Sequence, residues 1–390
     1  MIVKGIKRIK IKICAIICEY NPFHNGHLYQ LQQAKTLSGA DFLLCIMSGN
    51  FVQRGEAAIM DKYARAKHAV MAGADAVIEL PTVFAASNAE LFAKGAIHIL
   101  SSIPNVTALC FGAEKADKLA FISAARYLNN EPKEVSKTIK RLVSDGISYA
   151  KARAQAYAGF IPMELLSSPN NILGLEYTKA ILSLNANIDI LPIQRVGSDY
   201  HDGVLRDKLA SATAIRTAIT NQETISNQLP DYVARDLPNE LENKLDNLEK
   251  YALLSKSAQK IALTSDCTEG LENAFKKAAE SPAPLVQSLT SARYTASRIR
   301  RIALQCLLNI EESLIRKSLQ SPLYLRVLAA KKEHSAILSA LSDSRFPIIA
   351  RAHDANSLLN IAKECYSIDT FAEKIYRLLY QTTENKNIFI

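Results

Sequence analysis

Apolar residues in the first 220 positions fall into short blocks separated by stretches of helical spacing. The block at 13–18 (Ile-Cys-Ala-Ile-Ile-Cys) is apolar throughout and runs into Glu19-Tyr20-Asn21-Pro22. That reads as a buried parallel strand stopping in a turn. Similar blocks at 42–47, 76–81, 106–111 and 188–193 predict further strands, and the spacing over 28–34, 64–72, 89–100 and 170–184 predicts helices. Alternating short strands and helices give an α/β fold with a doubly wound parallel sheet, whose ligands sit at the carboxyl ends of the strands. Polar turns fall at those ends: Ser48-Gly49-Asn50 after the second strand and Gly112-Ala113-Glu114 after the fourth.

Between 222 and 250 the text turns acidic and proline-punctuated, as at Leu229-Pro230-Asp231 and Asp236-Leu237-Pro238, which marks a boundary. From 252 to 380 helical periodicity dominates. The expected organisation is a catalytic α/β domain over 11–222, a linker over 223–250 and a mostly α-helical domain over 251–390. A length of 390 residues suits two domains, and a 48% hydrophobic content supplies their cores. No apolar run is long enough to span a bilayer. Residues 1–12 are basic but lead to charged Glu19 without a small-residue cleavage site, so a short extension is expected rather than a signal peptide.

Charge changes the picture in one place. Of a net charge of +9, most gathers between 286 and 332, where nine Lys/Arg face two acids. A localised basic surface suits a polyanionic partner, although ordinary solvated helix faces would give the same count. The seven cysteines are odd in number and scattered, as expected of a reduced, cytoplasmic protein. Cys14 and Cys18 share a strand face near His24 and His27, but their spacing fits no standard zinc pattern, and no metal-ligand set is assigned.

The candidate chemistry begins at His24-Asn25-Gly26-His27, directly after the first strand. A strand, a tight turn and a helix N-terminus direct free N–H groups and the helix dipole at whatever docks there, which suits phosphate. The imidazoles add donors, and Gly26 lets a phosphate approach the backbone closely. A second element, Ser211-Ala212-Thr213-Ala214-Ile215-Arg216, places hydroxyls at a helix start. Such hydroxyls usually only cap the helix, but if the loop folds back they and Arg216 can clamp the β and γ phosphates.

A His-x-Gly-His near the N-terminus with a late Ser/Thr-rich element ending in Ile-Arg resembles the HIGH-type nucleotidyltransferase superfamily, with its Rossmann-like fold. More narrowly, the chain resembles the bacterial tRNA(Met) cytidine acetate ligase family. The matching strings are 19–27 (Glu-Tyr-Asn-Pro-Phe-His-Asn-Gly-His), 47–56, 73–81, 168–177, Tyr200-His201-Asp202 and 211–216, followed by Arg293-Tyr294-Thr295 and Arg298-Ile299-Arg300-Arg301. The resemblance implies an enzyme that activates acetate with ATP, Mg²⁺ accompanying the nucleotide, and releases pyrophosphate. The acetyl-adenylate then acetylates N4 of the wobble cytidine of elongator tRNA(Met).

Residue by residue, the resemblance implies that ATP lies along Ile17, Cys18, Glu19, Tyr20, Asn21, Pro22, Phe23, His24, Asn25, Gly26, His27, Leu28, Tyr29 and Gln30. Gly112, Asn170 or Asn171, Arg195, Ser211 and Thr213 complete the nucleotide site, and His24, His27 and Arg216 carry the catalysis. A helix start at Asn170 and Asn171 leaves one of the pair to cap and the other to face the ligand. Gln53 and Arg54 are candidates for the acetate or cytidine side, since an Arg fork suits a carboxylate. Arg293, Arg298, Arg300 and Arg301 are candidates for tRNA phosphates, and Asp61, Arg65 and Glu79 for supporting ion pairs. Two positions depart from the family pattern: Ala57 stands where proline is expected and Tyr63 where tryptophan is expected. The late motif also lacks the lysine of many synthetases. A small-molecule adenylyltransferase would share the His-x-Gly-His site but have no use for a basic helical domain. A non-catalytic tRNA-binding protein would have no use for intact phosphate motifs.

Overall fold

The computed structural model describes residues 11–147, 149–195, 210–225, 227–238, 245–333, 335–380 and 388–390. Residues 1–10 and the Tyr200-His201-Asp202 string lie outside them. Ten strands are described: β1 (Ile13–Cys18), β2 (Phe42–Ser48), β3 (Phe51–Val52), β4 (Glu56–Ala57), β5 (Ala76–Leu80), β6 (Val106–Ala113), β7 (Asp189–Gln194), β8 (Leu325–Ala330), β9 (Ile348–Ile349) and β10 (Ile388–Phe389). The main sheet runs β10-β8-β5-β2-β1-β6-β7, with β9 against β8.

From β1 the chain first winds outward through β2 to β5, then returns to β6 and β7, all in parallel. The reversal opens a crevice at the carboxyl ends of β1 and β6, where a doubly wound sheet binds its ligand. Every residue of β1 is buried because both faces are covered. Ile13, Ala15 and Ile17 pack with Phe92 and Ile97 of the helix Ala89–Leu100 and with Tyr177 of the helix Pro169–Ser183. Cys14, Ile16 and Cys18 face the opposite layer, with Leu31 of the helix Asn25–Ser38, Ala66 of Lys62–Met71 and Ile215 of Ala212–Thr220. The period-2 alternation of a strand thus builds two cores from one six-residue run.

The helical reading of 252–380 is corrected at β8 and β9, and β10 adds a strand beyond it. β8 lies antiparallel to β5 and is wholly buried. Its Arg326 and its alanines, set among helical text, disguise it, since a short apolar run has no period of its own. Arg326 is accommodated by Glu79 of β5 at 3.2 Å and by Glu373 of the helix Asn360–Tyr380 at 3.0 Å. Residues 251–390 are therefore divided. A helical unit between Leu245 and Leu308 has its own core around Leu253, Ile261, Phe275 and Ile302, whereas β8 and the helix Asn360–Tyr380 join the core of the sheet. Within the expected linker, the turn of helix Asp231–Ala234 buries Val233, and Asp236 reaches His68 at 2.9 Å. Residues 226 and 239–244 of that linker lie outside those described.

Candidate active site

At the β1/β6 crevice lies a cavity of about 470 Å³. It gathers residues far apart in sequence: Ile17, Cys18, Glu19, Tyr20, Asn21, His24, His27 and Gln30 from the first turn, Gln53 and Arg54 from the β3–β4 hairpin, then Gly112, Asn170, Arg195, Ser211, Thr213 and Arg216. Gly26 and Tyr29 line a small adjoining cavity of about 40 Å³.

His24 is the N-cap of Asn25–Ser38: its Nδ1 accepts from Gly26 N–H (3.1 Å), while its own N–H donates to His27 Nδ1 (3.3 Å). The two rings stack with centroids 3.6 Å apart. Burial, reinforced by Arg195 and Arg216, pulls His24 down to about 3, and burial with the neighbouring His24 holds His27 well below the usual imidazole range. Both rings are therefore neutral near pH 7. With each Nδ1 accepting, the proton resides on Nε2, so each ring keeps one N–H donor to offer. A Cβ on Gly26 would come within 2.9 Å of His24 Cε1. The glycine thus makes room for the imidazole. Phe23 is fully buried, with its ring 5.6 Å from His27, and Leu28 packs into the core below. Pro22 is buried in the turn and Asn25 donates to Asn227 O (2.8 Å), so these four support the site without lining it.

Positive charge comes from arginines. Arg216 donates to Asn21 O (2.8 Å) and Thr213 Oγ1 (3.3 Å), and no carboxylate pairs with it or with Arg195 among the described residues. Burial draws both guanidinium pKa values down, yet an arginine keeps its charge. Ser211 caps Ala212–Thr220, accepting from Ala214 N–H (3.1 Å), and the start of that helix points Thr213 and Arg216 at the first turn. Two helix N-termini therefore converge on one cavity with two guanidinium groups that form no carboxylate ion pair among the described residues.

Asn170 and Asn171 divide their roles. Asn170 lines the cavity, its Nδ2 donating to Glu114 Oε1 (2.6 Å). Asn171 is fully buried behind it, its Oδ1 accepting from Glu114 N–H (2.9 Å) and its Nδ2 donating to Glu164 O (3.1 Å), so it fixes the loop after β6. Gly112 lies within β6 rather than beyond it, with the Arg195 stem 3.4 Å from where a Cβ would stand. Gln53 donates from Nε2 to Ser87 O (3.1 Å) and from its N–H to Glu19 Oε1 (2.7 Å).

The supporting residues differ from expectation. Asp61 caps the helix Lys62–Met71. Among the described residues Arg65 makes no ion pair; fully buried, it donates to the carbonyls of Met60, Glu19, Ser48 and Gly49, tying β1 to β2 at their carboxyl ends. Glu79 does pair, with Lys62 (2.8 Å) and Arg326. Tyr63, standing for the expected tryptophan, accepts from Arg326 through its hydroxyl (3.1 Å).

The basic helix Ala296–Leu308 reaches the cavity rim. Gly55 (φ +75°) sits so close to it that a Cβ would meet Arg301 N at 2.5 Å, Arg300 pairs with Glu56 (2.9 Å) and Ser297 lines the cavity. Arg298 and Arg301 are spent on Asp266, through its carbonyl (2.7 Å) and its carboxylate (3.4 Å) respectively. Arg293 is exposed beside Glu269 (2.6 Å), with its guanidinium 5.8 Å from the Tyr294 ring. Sequence reading missed Leu173 and Tyr177, which line the cavity with Asn170 at i, i+3 and i+7 on one helix face; that spacing was the available signal. Phe92, Glu56 and Ser297 carried none, because the contacts that place them are long-range.

Among the described residues, no group of three or more His, Cys, Asp or Glu is placed to hold a metal ion, and no helix is long and apolar enough to cross a membrane. All seven cysteines are free and buried.

Residues 11–388 match the HIGH nucleotidyl transferase family. The chain is 38% identical over 387 residues to the tRNA(Met) cytidine acetate ligase of Thermoanaerobacter sp. (strain X514), covering 95% of this chain and 96% of that one. The enzyme of that name from Halothermothrix orenii is 35% identical, with 94% and 95% covered. Among solved structures, Thermotoga maritima TmcAL in its apo form I superposes with a TM-score of 0.88 at 29% identity, covering 97% of this chain and 100% of that one. The same protein bound with alpha-thio ATP gives 0.84 at 30% identity, with 96% of each chain covered.

Proposed function

Because the chain belongs to the HIGH nucleotidyl transferase family and, within it, to the tRNA(Met) cytidine acetate ligases, we propose that it joins acetate to N4 of the wobble cytidine of elongator tRNA(Met) through acetyl-adenylate, with AMP and pyrophosphate as products. The observation that carries this reading is the convergence of His24, His27, Arg195, Arg216 and two helix N-termini on one cavity. A triphosphate is what such a concentration of donors and unpaired cations accommodates.

In the first step an acetate oxygen attacks the α-phosphorus and pyrophosphate departs. The chain has no nucleophile to supply; it positions the reactants and stabilises the growing charge. The Nε2–H groups of His24 and His27 face the α-phosphate, where preorganised neutral donors need no reorganisation, and Arg216 with Thr213 and Ser211 takes the departing phosphates. Arg195, Gly112 and Asn170 form the adenosine side, and Gln53 and Arg54 the acetate side. The two lining carboxylates, Glu19 and Glu56, stand among Arg54, Arg216 and Arg300, a setting that does not fit a protein-held divalent cation, so Mg²⁺ would enter on the phosphate oxygens of ATP. In the second step the cytidine must leave its loop stack to reach the acyl carbon. The helix carrying Ser297 and Arg300 at the rim, with exposed Arg293 beyond it, is placed to guide the RNA, while Arg298 and Arg301 keep that helix in shape.

The test is incubation with ATP, labelled acetate and total bacterial tRNA, followed by digestion and mass spectrometry for N4-acetylcytidine. Labelled N4-acetylcytidine is expected, reduced about 10²- to 10³-fold by His24→Ala or Arg216→Ala, the scale for losing a preorganised charge stabiliser. Acetate-independent pyrophosphate release that instead requires a phosphorylated metabolite would replace this reading with the adenylyltransferase.

A further inference from the structure

We propose that Glu19 is the general base that takes the proton from the cytidine N4 amine during acetyl transfer, an inference that rests on the function proposed above. The acyl transfer leaves a proton to be placed. The N4 lone pair bonds to the acyl carbon, the acyl carbon–phosphate oxygen bond breaks, and its electron pair leaves with AMP. The surplus proton on N4 passes to a Glu19 carboxylate oxygen. No other reactant is needed.

Glu19 stands at the carboxyl end of β1 and lines the cavity. Its Oε1 accepts from Gln53 N–H at 2.7 Å, and Oε2 takes no hydrogen bond among the described residues. Arg65 donates to the main-chain carbonyl of Glu19 at 2.5 Å, which fixes the backbone from which the carboxylate projects. The side chain is thus fixed to the hairpin by one oxygen and open by the other, in the cavity where the acyl group and the cytidine would meet.

Other titratable groups at the cavity are less suited. Glu56 is tied to Arg300, and Glu114 is held by the amides of Asn170 and Asn171. His24 and His27 accept hydrogen bonds on Nδ1 and present Nε2–H, so they offer a proton rather than a lone pair.

The groups around Glu19 are Arg54 on the hairpin, Arg65 on Lys62–Met71, Arg216 on Ala212–Thr220 and Tyr177 on Pro169–Ser183. The arginines stay charged through the neutral range, and burial pushes the Tyr177 phenol far above it. An acid limb in transfer therefore reports Glu19. Burial also moves its own carboxyl upward, toward the range where a base works at neutral pH.

The experiment compares three reactions in the full-length wild type and Glu19→Gln, which keeps an acceptor for Gln53 N–H. These are acetate-dependent ATP–pyrophosphate exchange, single-turnover transfer from preformed acetyl-adenylate to tRNA as a function of pH, and trapping of the adenylate by hydroxylamine. Removing a general base costs about 10²- to 10⁴-fold. In Glu19→Gln, transfer to tRNA should fall by about that factor more than exchange does, and the wild type's acid limb should disappear. Hydroxylamine, already a reactive free amine, should be acylated with no such loss. Glu19→Asp should recover part of the transfer rate together with the acid limb. Equal losses in exchange and transfer would overturn the proposal by making Glu19 a support of the ATP site. Unchanged transfer would overturn it outright. Wild-type protein without exchange would instead overturn the ligase reading, which separates the two failures.

Discussion

Two regions of this protein take several charges out of bulk water, and they do it in opposite ways. Between β5, β8 and the helices Lys62–Met71 and Asn360–Tyr380, Lys62 meets Glu79 (2.8 Å) and Glu373 (3.1 Å), and Arg326 meets the same two carboxylates. Lys62 and Glu79 are each 1% exposed. At the cavity, His24 and His27 are neutral, while Arg195 and Arg216 form no ion pair with a carboxylate among the described residues. The first region satisfies its charges internally and needs no ligand. The second leaves positive potential unspent, in a space that a polyanion can enter. Buried charge is thus no mark of function by itself; what separates scaffold from site is whether the chain neutralises it.

The largest effect should come from breaking the closed cluster. Lys62→Met removes one of the two cations that bridge Glu79 and Glu373, leaving Arg326 on both and Arg377 on Glu373, and breaking a buried pair from one side costs about 3–5 kcal/mol. The urea midpoint should fall accordingly, while adenylation assayed well below the transition survives. Lys62→Met combined with Glu79→Gln should recover part of the loss, because no buried carboxylate is then stranded. If the single variant unfolds at the wild-type midpoint, the cluster is not what fastens β8 and the last long helix to the sheet.

The pH dependence of stability separates the two regions at intermediate size. Burial pulls His24 down to about 3 in the folded protein, from the usual 6.5 of an imidazole. Between those values the unfolded chain binds more protons, so stability is full above pH 6.5 and declines as pH falls toward 3. Glu373 is drawn down to about 2 from 4.5 by Lys62 and Arg326, so its contribution is present above pH 4.5 and is lost on descent through 2. Between pH 6.5 and 4.5 the histidines act and Glu373 does not. His24→Asn, which keeps a capping side chain, should make the stability–pH slope in that window shallower by up to about 1.4 kcal/mol per pH unit. Glu373→Gln should leave the slope there untouched. Denaturant titrations at pH 6.5, 5.5 and 4.5 read both; an unaltered slope in His24→Asn would mean that its ring is not held neutral.

What the sequence could reveal follows the same division. The helix Ala89–Leu100, the strand cores of β1, β2, β5 and β6, and the His24–His27 and Ser211–Arg216 elements all lie within local patterns, and local patterns are what periodicity and spacing report. The closed cluster joins Lys62 and Glu79 to Arg326 and Glu373, which come together only once β8 pairs with β5. No window of sequence contains it, and β8 was accordingly read as helix. The same holds at the rim, where Gly55 meets Arg300 and Arg301. Four arginines that look equivalent in the text divide among three residues, with Arg298 and Arg301 sharing Asp266. Asn170 and Asn171 look interchangeable for another reason: one residue of helical rotation puts the first on the cavity and the second behind it.

The smallest perturbation tests the open region most directly. Gly112 belongs to β6, paired with Ile193 of β7, and lines the cavity beside Arg195. A methyl group there would meet the Arg195 stem at 3.4 Å, an ordinary contact, and no positive φ is involved. Gly112→Ala should therefore fold with a stability within about 0.5 kcal/mol of wild type, the range of substitutions that disturb no buried contact. The added carbon nevertheless stands on the wall expected to receive adenosine, where lost close approach costs binding more than chemistry. The KM for ATP should rise, by roughly 3- to 10-fold if about 1 kcal/mol of contact is lost, with kcat and the KM for acetate nearly unchanged. A fall in kcat at constant KM would move adenosine away from β6 and put the reacting phosphate there instead.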